Sequence, residues 1–300
     1  MASRVAVITG ANSGLGHHTA IELARAGATV VMACRSLERA RTAQRALLAR
    51  VPDARTLILP LDVSEPESIR EFGRRFAEQL DRLDVLVNNA GVVAVPLSRN
   101  SVGHELHLAT NYLGAFALTG TLLPYFRADA QARVVNVGSL AHRLGKLDLD
   151  DLNWERTPYN EWKAYTRSKL ALLTFTAELN RRLQRSGLDA IALAAHPGFA
   201  ATEVSRNSAA LTPSTAIGKW LSERIATVIP TPAEASRPIV HAASGAGVSG
   251  GDYYGPSGLL EIRGEVGRAR LNPRARDLGI GRRLWELSES MTGVRYLSEL

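Results

Sequence analysis

The stretch "VAVITGANSGLGHHTAIELARAG" constrains this chain more than any other. An apolar run, Val5–Thr9, stops at a turn made almost entirely of glycine and small polar residues, and an amphipathic segment, Leu15–Ala26, follows and halts at Gly27. Gly10, Gly14 and Gly16 have the spacing G-x-x-x-G-x-G between a predicted strand and a predicted helix. Glycine permits positive φ and lets a ligand approach bare backbone. A helix N-terminus just beyond offers free N–H groups and partial positive charge, a ready site for a pyrophosphate. Asn12 and Ser13 add side-chain donors, and Leu15 opens the helix.

The rest of the chain repeats that alternation. Thr29–Cys34, Thr56–Leu61, Val85–Asn88, Arg133–Val137 and Ala190–Ala195 are apolar throughout, as expected of parallel strands covered on both faces. Between them lie helical patterns. Ser64-Glu65-Pro66-Glu67 has capping-box spacing and opens a helix to about Leu80, while Val102–Phe126 and Tyr159–Gln184 read as longer helices. The expected fold is α/β: one Rossmann-type domain, a doubly wound, mostly parallel sheet of about seven strands with helices on both faces. It spans residues 1–262, with a substrate loop near 199–232, and residues 263–300 form an extension packed on the same domain. Neither a repeat nor a Gly/Ser linker interrupts it.

Composition narrows the function. The 36 Lys and Arg give a net charge of +7. They are dispersed along predicted helices without interleaved aromatics, which argues against nucleic acid and for a solvated basic face. The single cysteine, Cys34, points to a reducing compartment. No apolar run reaches membrane-spanning length, so a cytoplasmic chain without an integral membrane anchor is expected. His104 and His107 lack a third partner, so no metal is expected.

"TGANSGLG" resembles the cofactor turn of the short-chain dehydrogenase/reductase family, and further motifs fall in that family's order. These are "LDV" (Leu61–Val63), "NNAG" (Asn88–Gly91), "NYLG" with Asn111, "NVGS" with Ser139, "YTRSK" (Tyr165–Lys169) and "HPG" (His196–Gly198). The resemblance covers about residues 4–260. The wide gap between Ser139 and Tyr165, filled by "HRLGKLDLDDLNWERTPYNEW", looks like the retinol-dehydrogenase-like branch and its bacterial relatives. Gly138 departs from that branch, which often carries serine there; the smaller residue is expected to alter the substrate edge.

The resemblance implies a carbonyl/alcohol oxidoreductase using a nicotinamide cofactor. Tyr165 would donate the proton in reduction and accept it in oxidation. Lys169, four residues along one helix face, would hold the ribose hydroxyls. Its ammonium, with the charge of the oxidised nicotinamide, would bring the phenol below its usual pKa near 10. Ser139 would hydrogen-bond the substrate oxygen. Asn111 would kink its helix and hold a water linking Lys169 to solvent. Asp62 and Val63 would contact adenine, with Asn89, Ala90 and Gly91 lining the cofactor at the fourth strand. Pro197, Gly198 and Thr202 would face the nicotinamide.

Cofactor choice is legible after the second strand. An acidic residue there usually holds a ribose 2′-hydroxyl; here Cys34 takes that place, followed by Arg35, Ser36 and Arg39. Arginine attracts a 2′-phosphate, so NADP(H) is preferred over NAD(H). Phe199, Val204, Leu211, Ile217, Trp220 and Leu221 would make an apolar lid for a lipophilic aldehyde or ketone, and His142 is a candidate pocket residue. Related proteins pair through the helices bearing Asn111 and Tyr165, so a homodimer or homotetramer is expected. Two alternatives stay open. One is a non-catalytic NADP-binding sensor or scaffold; the other is a sugar-nucleotide epimerase or dehydratase, which shares the Tyr-x-x-x-Lys pair.

Overall fold

The computed structural model describes residues 1, 4–126, 131–198 and 230–298. Eight strands form one sheet in the order β3-β2-β1-β4-β5-β6-β7-β8. They are β1 (Val5–Thr9), β2 (Thr29–Cys34), β3 (Thr56–Pro60), β4 (Val85–Asn88), β5 (Ala132–Val137), β6 (Ala190–Ala195), β7 (Tyr253–Pro256) and β8 (Val266–Arg268). Seven run parallel. The eighth comes from the C-terminal segment and pairs antiparallel with β7, Gly255 opposite Gly267.

Alternation along the strands feeds two cores. Val5, Val7, Val31, Leu86 and Val134 face one side; Ala6, Ile8, Val30, Val87 and Val135 face the other. This explains strands that are apolar at every position, since each fully buried Val or Leu contributes roughly 1.5–3 kcal/mol. Helices α1 (Gly14–Arg25) and α2 (Leu37–Arg50) cover the second face; α3 (Pro66–Gln79) and the helices after β4 cover the first.

Local chemistry departs from expectation in two helices. The Ser64–Glu67 capping box does not form: α3 starts at Pro66 with Glu65 as its cap, and the Glu65 carboxylate accepts from Ser101 rather than from the helix. The Ser64 hydroxyl instead donates to Asp62 Oδ1 at 2.6 Å. The expected helix over 102–126 begins only at α4 (Leu106–Leu108), capped by Glu105, and opens into a π-turn at Ala109–Leu113. It then continues as α5 (Gly114–Leu122). A π-turn leaves its helix out of regular register, a frequent feature near functional groups. Asn111 lies inside it.

The long helix α6 (Glu161–Ser186) starts at Asn160, whose side chain accepts from Lys163 N, and stops at Gly187 in the left-handed region. Beyond β6 lie α7 (Pro232–Ser244) and α8 (Leu278–Thr292). Trp285 of α8 and Tyr296 close an aromatic cluster on Phe116 and Phe175, with ring centroids 4.8–5.9 Å apart. The Tyr296 hydroxyl donates to the Phe116 carbonyl. The C-terminal segment therefore covers part of the α5–α6 face from within the chain.

Candidate active site

The strand order reverses between β1 and β4, and open α/β sheets bind ligands in the crevice at that point. Thr9 ties its two sides together. Its Oγ1 accepts from Asn89 N and Ala90 N, and its carbonyl accepts from Asn89 Nδ2. Gly10 and Gly14 take φ of +66° and +52°. A Cβ at Gly16 would lie 2.5 Å from both the Gly10 carbonyl oxygen and Asn89 Nδ2, so only glycine lets α1 approach the turn this closely. Ser13 caps α1 without a side-chain bond, leaving its hydroxyl and the first-turn amides free for an anion. This cradle fits a pyrophosphate.

At the neighbouring edge, Cys34 is buried. Burial pushes its thiol up to about 11, opposed by hydrogen bonds from the Ala11 and Asn12 backbone. A neutral thiol thus stands where a carboxylate was the alternative. Arg35 is exposed and pairs with Asp62 at 3.4 Å. The Ser36 hydroxyl caps α2 by accepting from Arg39 N, which leaves its own proton to give. Asp62 is oriented by Ser64 N, Ser64 Oγ and Arg35, and the Val63 carbonyl presses on Gly114, where no side chain could fit.

Across the crevice, side chains replace backbone. The Asn111 amide is spent inside the protein: Oδ1 accepts from Val92 N, and Nδ2 donates to Val92 O and Ser168 Oγ. It fixes the turn after β4 against α6. A Cβ at Gly91 would stand 3.0 Å from Asn111 Oδ1 and 3.6 Å from Lys169 Nζ, so glycine makes room for both. Lys169 is buried, and Nζ donates to the Val137 carbonyl at 2.8 Å. Burial alone pulls its amine down to about 8.

Tyr165 is buried, and its hydroxyl interacts with the Ser139 side chain. Burial raises the phenol and Ser139 lowers it, with a net upward shift. The depression expected from Lys169 is therefore corrected: the amine is held on Val137, and desolvation disfavours its charge.

Sequence reasoning missed the wall around Tyr165. The His107 ring packs edge-on to Tyr165 at 6.2 Å. Its Nε2 accepts from Val95 N, so its proton sits on Nδ1, 2.7 Å from Glu105 Oε1. Glu105 also takes the Tyr159 hydroxyl and the His107 and Leu108 amides. The i, i+3 pairing of His104 and His107 hid this, because the partners that matter are a carboxylate two residues earlier and a tyrosine 52 residues later. Among the described residues no group of three or more His, Cys, Asp and Glu side chains is arranged to hold a metal.

His142 does not line a pocket as expected. It is fully buried; Asn272 N donates to its Nε2, and its Nδ1 proton faces the Ser139 carbonyl at 2.5 Å. His196 is arranged in the opposite sense. Gly198 N donates to Nδ1, leaving the Nε2 proton for Glu261 Oε2 at 3.1 Å, and burial pushes the ring down to about 4. Pro197 and Gly198 form the turn after β6, Gly198 at φ +76°. Thr202 and the lid residues Phe199 to Leu221 lie outside the described residues.

Comparison with known proteins agrees with this architecture. The family described as short chain dehydrogenase matches residues 4–211. The chain belongs to the short-chain dehydrogenase family. It is 37% identical over 299 residues to human Retinol dehydrogenase 13, covering 97% of this chain and 85% of that protein. Human Retinol dehydrogenase 12 is 37% identical over 295 residues, covering 98% and 87%. A crystal structure titled as a putative uncharacterized protein from Mycobacterium Paratuberculosis superposes with TM-score 0.80 at 38% identity, covering 98% and 95%. The RhlG/NADP active-site complex of Pseudomonas aeruginosa gives TM-score 0.64 at 25% identity, covering 84% and 94%. This short-chain dehydrogenase is a retinol-dehydrogenase-like oxidoreductase acting on alcohols or carbonyls, from a family that binds NAD(P). No described helix is long and apolar enough to cross a membrane.

Proposed function

We propose that the chain interconverts a lipophilic carbonyl and its alcohol with NADP(H), Tyr165 acting as general acid and base. The observation that carries this is the pairing of the buried Tyr165 hydroxyl with the half-buried Ser139, one helical turn from Lys169 and beside the crevice the glycine turn opens. In reduction, Tyr165 passes its hydroxyl proton to the carbonyl oxygen while Ser139 holds that oxygen. Oxidation returns the proton to Tyr165. A nicotinamide held beside Pro197 and Gly198 would supply the hydride to the carbonyl carbon or accept it from the alcohol carbon. Its charge when oxidised favours the phenolate that burial alone resists. Lys169 would hold the ribose hydroxyls with the donors not spent on Val137. Asn111 would keep the Gly91–Val92 turn in place beneath them. Gly10, Asn12, Ser13, Gly14, Leu15 and Gly16 would cradle the pyrophosphate; Asp62, Val63, Asn89, Ala90 and Gly91 would line the nucleoside. Pro197, Gly198 and Thr202 would meet the nicotinamide.

Preference for NADP(H) is supported by the neutral Cys34, the exposed Arg35 and the half-buried Ser36 at the α2 N-terminus. A lipophilic substrate is supported by the names of the relatives and by Leu144, Leu259 and Leu260, which stand exposed on either side of the Arg143–Glu261 ion pair. The lone buried thiol supports a reducing, cytoplasmic setting. Assembly as a homodimer or homotetramer would need a surface other than the α5–α6 face, which is almost wholly buried within the chain between Ala164 and Leu183 and along α5.

The test pairs binding with turnover. Titrate NADPH and NADH, then follow NADPH absorbance with polyene aldehydes, long-chain aldehydes, quinones and ketones, for the wild type and Tyr165→Phe. Tight NADPH binding with turnover that Tyr165→Phe abolishes is the expected result. Turnover unchanged in Tyr165→Phe removes the proposed role, and binding without turnover on any carbonyl favours the sensor reading.

A further inference from the structure

Tyr253 of β7 is fully buried, yet its hydroxyl has no hydrogen-bond partner among the described residues. Its ring is well supported. His142 packs perpendicular to it at 5.3 Å, and His196 lies tilted at 5.1 Å. Leu170, Leu173 and Ala194 pack in the same cluster. That packing calls for an aromatic ring and not for a hydroxyl, because an orphan buried O–H costs stability that phenylalanine would not.

The hydroxyl has a defined place. A Cβ built on Gly138 would lie 2.9 Å from the Tyr253 oxygen and 3.2 Å from Leu173 Cδ2. Gly138 therefore does not shape a substrate edge as expected: its missing side chain leaves room for Tyr253, one residue before Ser139. The flanking imidazoles hold the same region. His142 carries the Ser139 carbonyl and His196 carries Gly198 N.

We propose, on the reading that Tyr165 is the proton-transfer group, that Tyr253 is a positioning residue for it. Its hydroxyl fills the side-chain space left at Gly138 behind Ser139 and turns its free proton toward the negative charge that forms when Tyr165 is deprotonated. The groups placed against Tyr165 are Ser139, the His107 ring and the Trp162 ring; Lys169, one turn on, is turned to the Val137 carbonyl, and Tyr253 lies close enough to interact electrostatically. Those facing Tyr253 are His142, Arg143, His196, Glu261 and Tyr165. Glu261 is neutralised by Arg143 at 2.6 Å, and both histidines are pushed toward the neutral form by burial. Tyr253 itself stays protonated, because burial drives its phenol far up. A fixed neutral donor is thus available on the Ser139 side of Tyr165 at every working pH.

The test uses Tyr253→Phe, Gly138→Ser and the double variant in the full chain, with Tyr165→Phe beside them. Tyr253→Phe is expected to melt at or above the wild-type temperature. Its kcat for alcohol oxidation should fall about tenfold, with KM for NADP unchanged, since a fixed O–H dipole near the forming phenolate is lost. The rising limb of its kcat–pH profile should move to higher pH, because oxidation needs the deprotonated phenol. Gly138→Ser should lose activity by displacing the ring's hydroxyl, and adding Tyr253→Phe to it should restore part of the loss. If Tyr253→Phe keeps wild-type kcat and pH profile while Tyr165→Phe is dead, Tyr253 has no such role. A fall in kcat that tracks a fall in melting temperature, with no movement of the pH profile, overturns it equally. Activity surviving in Tyr165→Phe defeats the parent reading instead.

Discussion

The two sides of the crevice are built by different means. The glycine turn is contiguous, Gly10 to Gly16, and works through what it lacks: Cβ atoms and a side-chain cap. The facing wall gathers Ser139, Tyr165, Lys169, His107 and Tyr253 from four separate segments, and all but the half-buried Ser139 are buried. One side presents backbone N–H groups that are available without further cost. The other holds ionisable groups where desolvation opposes their charged forms, so its chemistry depends on neighbours. Substitutions should therefore injure the first side through space and the second through protonation.

The sharpest test of that contrast is Tyr165→Phe, which removes one oxygen and no volume that matters for packing. Loss of a positioned acid–base group should reduce turnover by about 10²- to 10⁴-fold. NADPH affinity, measured by fluorescence titration, should stay near the wild-type value. An equal loss of affinity would mean that the two sides are not separable. Gly16→Ala is the reverse case. Its methyl group would meet the Gly10 carbonyl and Asn89, and overpacking of this kind costs about 1–3 kcal/mol. Dinucleotide affinity should collapse in calorimetry. Gly187→Ala, where φ is +74° but nothing stands within 4 Å, should lower the melting temperature and leave binding intact.

The contrast also decides what the sequence revealed. The turn was readable because its residues are neighbours and glycine has few other reasons to recur at that spacing. The first six strands were readable, four at both ends and two to within one residue at one end, because burial on both faces makes them apolar throughout. β8 was not, since three residues, Val-Gly-Arg, carry no periodicity and exist as a strand only because β7 offers an edge. Glu105, Tyr159 and Tyr253 were missed for the same reason: each is defined by a contact across the fold. Nearness to Ser139 in sequence does not give His142 a share of its pocket, because the ring turns inward to Asn272. The capping box failed because Ser64 found a better acceptor in Asp62.

Lys169 sharpens the protonation half. Its amine falls from the ordinary 10.5 to about 8 in the folded chain. Below pH 8 both folded and unfolded states carry the proton, and the folded state bears the whole desolvation cost. Between pH 8 and 10.5 the unfolded state binds more protons, so stability rises with pH through that window. The cost amounts to about 3 kcal/mol at neutral pH, before the bond to Val137 is counted. Lys169→Met should therefore melt higher than wild type at pH 7, and the gap should close toward pH 10. Activity should be lost at every pH. A variant less stable than wild type at pH 7 would show that the Val137 bond outweighs desolvation.

The smallest effect belongs to Arg35, the one proposed cofactor contact on the glycine-turn side that is a positively charged side chain. Its guanidinium is 80% exposed and meets Asp62 at 3.4 Å, a pair that solvent screens to well under 1 kcal/mol. A 2′-phosphate offers more: two charges, three acceptors, and a position before the α2 N-terminus where the Ser36 proton is also free. The phosphate should therefore win Arg35 from Asp62 on binding. Arg35→Ala should weaken NADPH about tenfold, equivalent to 1.4 kcal/mol, and leave NADH within experimental scatter. Wild-type NADPH affinity should also fall with added salt more steeply than that of the variant, because the contact is exposed. If Arg35→Ala weakens both dinucleotides equally, Arg35 acts by orienting Asp62 on the adenosine, and discrimination rests on Ser36 and the neutral Cys34 instead.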